Sequence, residues 1–138
     1  MKGVYLFLLL SFSLASYAQN WQLTGFKKAD AENPILSPSL EARFLDPITG
    51  KNVGWENKNV LNPTALIRNG LVHLLYRAQD SVGTSRIGLA TSTDGIHFKK
   101  NPEPILFPSN DAFRKFEWPG GIEDPRIVET KDGGYFLT

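Results

Sequence analysis

The chain has 138 residues, no cysteine, and 15 basic against 14 acidic side chains, a formal net charge of +1. That balance excludes an electrostatic partnership with nucleic acid or an anionic membrane surface. The lack of cysteine excludes disulfide staples and thiolate metal sites, so stability must come from burial alone, which demands a sizeable core.

At the start, Met1-Lys2 precedes the apolar run Val4 to Leu14 and then Ser16-Tyr17-Ala18. This reads as a secretory signal peptide over residues 1–18, cleaved after Ala18. The run is shorter than the roughly 20 apolar residues of a membrane span, and no cysteine follows for a lipid anchor. The expected location is periplasmic or extracellular. Losing the signal removes Lys2 and no acid, which leaves 14 basic and 14 acidic residues.

Residues 19–60 read as an irregular N-terminal extension, because Pro34, Pro38, Pro47 and Gly50 break each candidate run. Short strands are the most it should hold, and no helix. From Leu61 the pattern changes to apolar runs between turn residues: Thr64 to Ile67, Leu71 to Arg77, Arg86 to Ser92 and His97 to Lys99. Asn69-Gly70 and Asp94-Gly95 are read as hairpin turns, so the four runs form antiparallel strands in chain order. Asn101 to Gly121, rich in Pro and Gly, is an inserted loop of the kind that can line a site.

The opening of this unit then recurs. Asn62-Pro63-Thr64-Ala65-Leu66 aligns with Asp124-Pro125-Arg126-Ile127-Val128, and after one inserted residue Asn69-Gly70 falls on Asp132-Gly133. A four-stranded unit that starts again is the signature of a β-propeller blade. The fold class is therefore all-β, with residues 61–138 forming one blade and the start of a second. A ring of at least four blades of about 60 residues needs well over 200 residues, so the chain is expected to stop before closure.

Propeller sites lie where the innermost strands converge, which directs attention to Asn62 and Asp124. The densest motif is Gly120-Gly121-Ile122-Glu123-Asp124-Pro125-Arg126. Alternation along a strand turns Glu123 and Asp124 to opposite faces, which argues against one acid/base pair. Arg126, two residues on, should share a face with Asp124; a close arginine lowers a carboxyl pKa, which suits ligand binding and opposes a general acid. Asp124 is thus left with two readings, an acid or a turn carboxylate paired with Arg126. Arg77 either forks hydroxyls or a carboxylate or is a strand-end charge. Trp118 either stacks on a sugar or packs in the core; Trp21 and Trp55 read as packing residues. Ser92 to Phe98 reads as a structural turn. His73 and His97 lack ligand spacing, so no metal is assigned.

Asn62-Pro63, Tyr76-Arg77-Ala78, Arg86-Ile87-Gly88-Leu89-Ala90 with Asp94-Gly95, and Gly121-Ile122-Glu123-Asp124-Pro125-Arg126 together resemble glycoside hydrolase family 130. The resemblance is read over Leu61 to Thr138, with no contribution from the extension. It implies a five-bladed β-propeller acting on β-mannoside oligosaccharides, either by hydrolysis with inversion or by phosphorolysis that releases mannose 1-phosphate. It also implies that Asp124 is the acid, acting through a substrate hydroxyl, and that Asn62 and Arg77 hold the mannose. Glu123, Arg126 and Trp118 complete the candidate substrate-binding set. Gln79 departs from the family pattern, where many members carry glutamate. No cofactor is expected, only inorganic phosphate as co-substrate for a phosphorylase, and the second carboxylate or the phosphate-binding residues are expected beyond Thr138. The export segment favours water as the acceptor, since a sugar phosphate benefits a cell only when formed inside it. A non-catalytic glycan-binding propeller is the reading from another class.

Overall fold

The structure is a computed structural model that describes residues 24–138. The signal peptide, Trp21 and the first residues of the extension lie outside the described residues. The described chain is nearly all-β, with one 3-10 turn at Asp30–Glu32 and one short helix, α1 (Arg114–Glu117).

Two short strands, β1 (Phe44–Leu45) and β2 (Asn52–Val53), pair in the extension. The central sheet contains β3 (Asn59–Arg68), β4 (Leu71–Gln79), β5 (Ser85–Ser92) and β6 (Lys99–Lys100), antiparallel and in chain order. It begins at Asn59, two residues before the boundary read from the sequence. Asn69 and Gly70 both take positive φ, 52° and 75°, as a two-residue type I′ hairpin demands. Asp94-Gly95 is not such a hairpin. Here Asp94 Oδ1 accepts the backbone N–H groups of Ile96 and His97, an Asx turn inside a longer connection from β5 to β6. A second hairpin, β7 (Ile127–Glu129) and β8 (Tyr135–Leu137), opens where the repeat restarts.

Alternation gives the sheet two different faces. Tyr76 and Ala78 of β4, with Ala90 of β5, turn toward the extension and form a cluster with Phe44 and Trp55. Trp55 is fully buried, and its Nε1 donates to Pro102 O at 3.1 Å. Gly88 stands opposite Tyr76 because the Tyr76 ring lies across β5, where any side chain would collide with it. Arg86 on this face bonds Asp46 at 2.5 Å and Asp80 at 3.0 Å, and Tyr76 donates to Glu56, which also receives Lys100. The extension is thus the second wall of the core, which apolar patterning alone misses because the wall is built from isolated residues on short strands.

The opposite face carries Arg77 and Gln79 of β4 and Ser85 and Ile87 of β5. The insertion after β6 packs along its edge: Ile87 N donates to Leu106 O at 2.9 Å and Ser85 N to Gly120 O at 2.9 Å.

Candidate active site

Asn62 sits where β3 loses register. Leu61 pairs with Arg77 and Thr64 with Leu75, so Asn62 and Pro63 together face the single residue Tyr76, a β-bulge. Pro63 has no N–H to give the ladder, and bulges are where strands accept proline. Asn62 turns to φ 46°, in the left-handed region that asparagine and aspartate enter more readily than other side-chain-bearing residues. Asp124, before Pro125, takes φ 48°. The two repeat openings therefore share a backbone device as well as a sequence pattern.

That device brings the two side chains together: Asn62 Nδ2 donates to Asp124 Oδ1 at 2.7 Å. Arg77 enters from β4 and forks, with Nη1 3.2 Å from Asp124 Oδ1 and Nη2 2.6 Å from Glu123 Oε1. Its side chain is 16 % exposed, while Glu123 and Asp124 are 47 % and 46 % exposed. Arg77 is thus a partly buried fork under two carboxylates that open outward.

Two expectations need correction. Glu123 and Asp124 do not diverge, because β7 begins only at Ile127 and the left-handed turn at Asp124 replaces strand alternation. Arg126 makes no salt bridge to the Asp124 carboxylate, although its charge does help to lower that carboxyl as expected. Its guanidinium folds back on the backbone, with Nη1 2.8 Å from Pro125 O, and Arg77 takes that place. Trp118 is half-buried at the end of α1 and lines an open hollow with Arg114 and Lys115, apart from Asn62, Arg77, Glu123 and Asp124. The best-defined apolar hollow, about 190 Å³ beside Leu61 and Pro63, contains no carboxylate and is not the place for proton transfer.

The clasp sets the charge state of Asp124. The hydrogen bond from Asn62 is the main influence holding its carboxyl below the ordinary aspartate value; partial desolvation opposes it, and the Arg77 hydrogen bond with the charges of Arg77 and Arg126 reinforces it. Tyr76 is pushed well above the usual phenol value by burial and then by Glu56, which suits a structural hydroxyl and not a proton donor. Among the described residues no group of three or more His, Cys, Asp or Glu side chains is arranged to hold a metal ion.

Sequence reasoning missed Ser85, which is fully buried and bonds Arg77 Nε at 3.0 Å. The signal exists only in the register: Ser85 lies opposite Gln79, diagonal to Arg77 on the same face.

The glycoside hydrolase family 130 model, described as β-1,4-mannooligosaccharide phosphorylase, matches residues 27–138. The chain belongs to glycoside hydrolase family 130. The match starts well before Leu61, so the extension is part of the family unit, in line with its place in the core. The solved structure of a glycosyl hydrolase from Bacteroides ovatus superposes with a TM-score of 0.81 at 43 % identity, over 86 % of this chain and 35 % of that one. Another, from work reporting that the family of mannoside phosphorylases contains glycoside hydrolases that target β-1,2 mannosidic linkages in Candida mannan, gives 0.81 at 44 %, over 86 % and 34 %. The 1,2-β-oligomannan phosphorylase of Thermoanaerobacter sp. (strain X514) is 36 % identical over 78 % of this chain. The chain spans about a third of the length of that relative, 33 %.

Proposed function

We propose that the protein is an exported five-bladed β-propeller enzyme that cleaves β-mannosidic linkages, β-1,2 bonds first among them, by hydrolysis with inversion. The observation that carries this reading is the clasp on Asp124. Its Oδ1 is held by Asn62 and Arg77, and among the described residues no hydrogen bond reaches its Oδ2, which is left for a ligand.

A carboxyl held below its ordinary value is poorly suited to protonate a leaving oxygen directly at neutral pH. A relay answers the difficulty. A sugar seated over Asp124 replaces water, and that desolvation raises the pKa and lets the proton load on binding. A substrate hydroxyl then gives its proton to the glycosidic oxygen as the bond to the anomeric carbon breaks, and takes the proton of Asp124 in exchange. From the opposite side a water adds its oxygen to the anomeric carbon and gives its proton to a second carboxylate, roughly 6.5–9.5 Å from the first in inverting enzymes. Glu123 is unsuited to that second role, since Arg77 grips it on the same side as Asp124. Asn62 and Arg77 orient the mannose.

Hydrolysis is supported by the sequence of an export signal and by higher identity to the solved Bacteroides ovatus hydrolase, 43 %, than to the curated phosphorylases, 36 % and 30 %. Phosphorolysis, with inorganic phosphate as co-substrate and mannose 1-phosphate as product, is the second reading, favoured by the names of both curated relatives and of the family model. Incubating the full-length protein with β-1,2- and β-1,4-linked mannobiose, with and without phosphate, separates the two. Phosphate-independent release of free mannose is expected, and strict phosphate dependence would establish the second reading.

A further inference from the structure

Ser85 opens β5 at the point where the two halves of the clasp meet. A hydroxyl has one proton and two lone pairs. Arg77 Nε donates to Ser85 Oγ at 3.0 Å and Gln79 Nε2 donates to it at 3.3 Å. The Gln79 amide is oriented independently, because its Oε1 accepts from Asn59 Nδ2 at 2.9 Å and its Nε2 also reaches Gly83 O. Both lone pairs of Ser85 are therefore occupied, and its one proton points to Glu123 Oε1, 3.4 Å away.

The backbone of Ser85 grips the same loop. Its N–H donates to Gly120 O at 2.9 Å and its carbonyl accepts from Ile122 N at 3.0 Å, just ahead of Glu123 and Asp124. Gly121 lies between those contacts at φ 100°, where any side chain would overlap the Ser85 main chain.

We propose that Ser85, with Gly121 as its backbone partner, is a positioning residue that sets Glu123 and Asp124 against Arg77. The hydrogen-bond chain runs one way, from Asn59 through Gln79 and Ser85 to Glu123. Glu123 then anchors Nη2 of Arg77 and leaves Nη1 for Asp124. The role in catalysis rests on the mannoside-cleaving reading above.

The test uses the full-length protein with Ser85→Ala, Ser85→Thr, Gln79→Glu and Gln79→Met. Ser85→Ala takes the acceptor from the partly buried Arg77 Nε and one of the two acceptors from Gln79 Nε2, so kcat/KM is expected to fall about tenfold, with recovery in Ser85→Thr, which keeps the hydroxyl. Gln79→Glu turns a donor into an acceptor and places negative charge beside Arg77, which raises the pKa of the acid Asp124, so the alkaline limb of the kcat/KM profile should move to higher pH. Gln79→Met should leave that limb in place, whereas a merely structural role would lower the melting temperature of all variants and move no limb. A crystal structure of Ser85→Ala should show Arg77 turned away from Glu123. Parental kcat/KM in Ser85→Ala, or an unchanged Arg77–Glu123–Asp124 arrangement, overturns the proposal. Should the parent cleave no mannoside, the functional reading falls, and the Ser85→Ala geometry still decides the latch.

Discussion

Asn62 and Asp124 stand 62 residues apart in the chain and share a 2.7 Å hydrogen bond, each held in the left-handed region ahead of a proline. The bond is the largest influence lowering the Asp124 pKa. Asn62→Gly keeps the backbone conformation at no steric cost and deletes only the amide. The Asp124 pKa should then rise toward the ordinary carboxylate value, and because Asp124 acts as the acid in its protonated form, the alkaline limb of the kcat/KM profile should move upward. A profile identical to that of the parent would mean that another group sets the limb.

Asp124→Asn should lower kcat about 10² to 10⁴-fold, the usual worth of general acid catalysis, while mannoside affinity changes little. The exchange retains shape and tolerance for the left-handed turn and removes the transferable proton. Single-turnover kinetics together with calorimetric titration check both halves. Near-parental turnover would transfer the acid role to another carboxyl.

Arg77→Ala should act mainly on binding, because it removes the forked donor and leaves Glu123 and Asp124 facing each other without a counter-charge. A loss of roughly tenfold or more in mannoside affinity is expected, read by titration of the Asp124→Asn background so that turnover does not interfere. Unchanged affinity would return Arg77 to a purely structural role.

The buried Asp46–Arg86–Asp80 group governs stability and not chemistry. Arg86→Leu leaves two buried carboxylates without their partner, and removing one member of a buried pair costs about 3–5 kcal/mol. Chemical denaturation of the full-length protein checks this. Burial alone would raise the Asp46 pKa, but the Arg86 and Thr49 hydrogen bonds and the Arg86 charge outweigh it, so the folded value lies below 3.8. With the folded pKa depressed, the Asp46 contribution is complete above the unfolded value near 3.8 and is lost as pH falls through the folded value. Stability of Asp46→Asn should therefore depend less steeply on acid than that of the parent.

The strands and the Asn69-Gly70 hairpin were legible because their signals are local: an apolar run along β4 bounded by turn residues and a dipeptide suited to two successive positive φ angles. The meeting of Asn62 with Asp124 was legible through the repeat. The grip of Arg77 on both carboxylates was not, since alternation assumes a regular strand and Asp124 breaks it with one left-handed residue. Ser85 was hidden for a different reason, because a serine at a strand start acquires meaning only from the residue across the ladder. Trp55 was legible as a packing residue from its type alone, whereas the structural weight of Asp46 and Glu56 was spread over isolated positions with no period to reveal it.

Trp55 has a practical bearing on how the protein can be cut. An expression boundary placed at residue 61, where the repeat begins, would remove Phe44 and Trp55 and strip one side from Tyr76, Ala78 and Ala90. Solvent would then reach the back of the same strands that present Arg77 and Ser85 at the front. Truncation libraries, fusion partners and affinity tags should therefore be joined upstream of Leu36, the first residue that packs on the cluster.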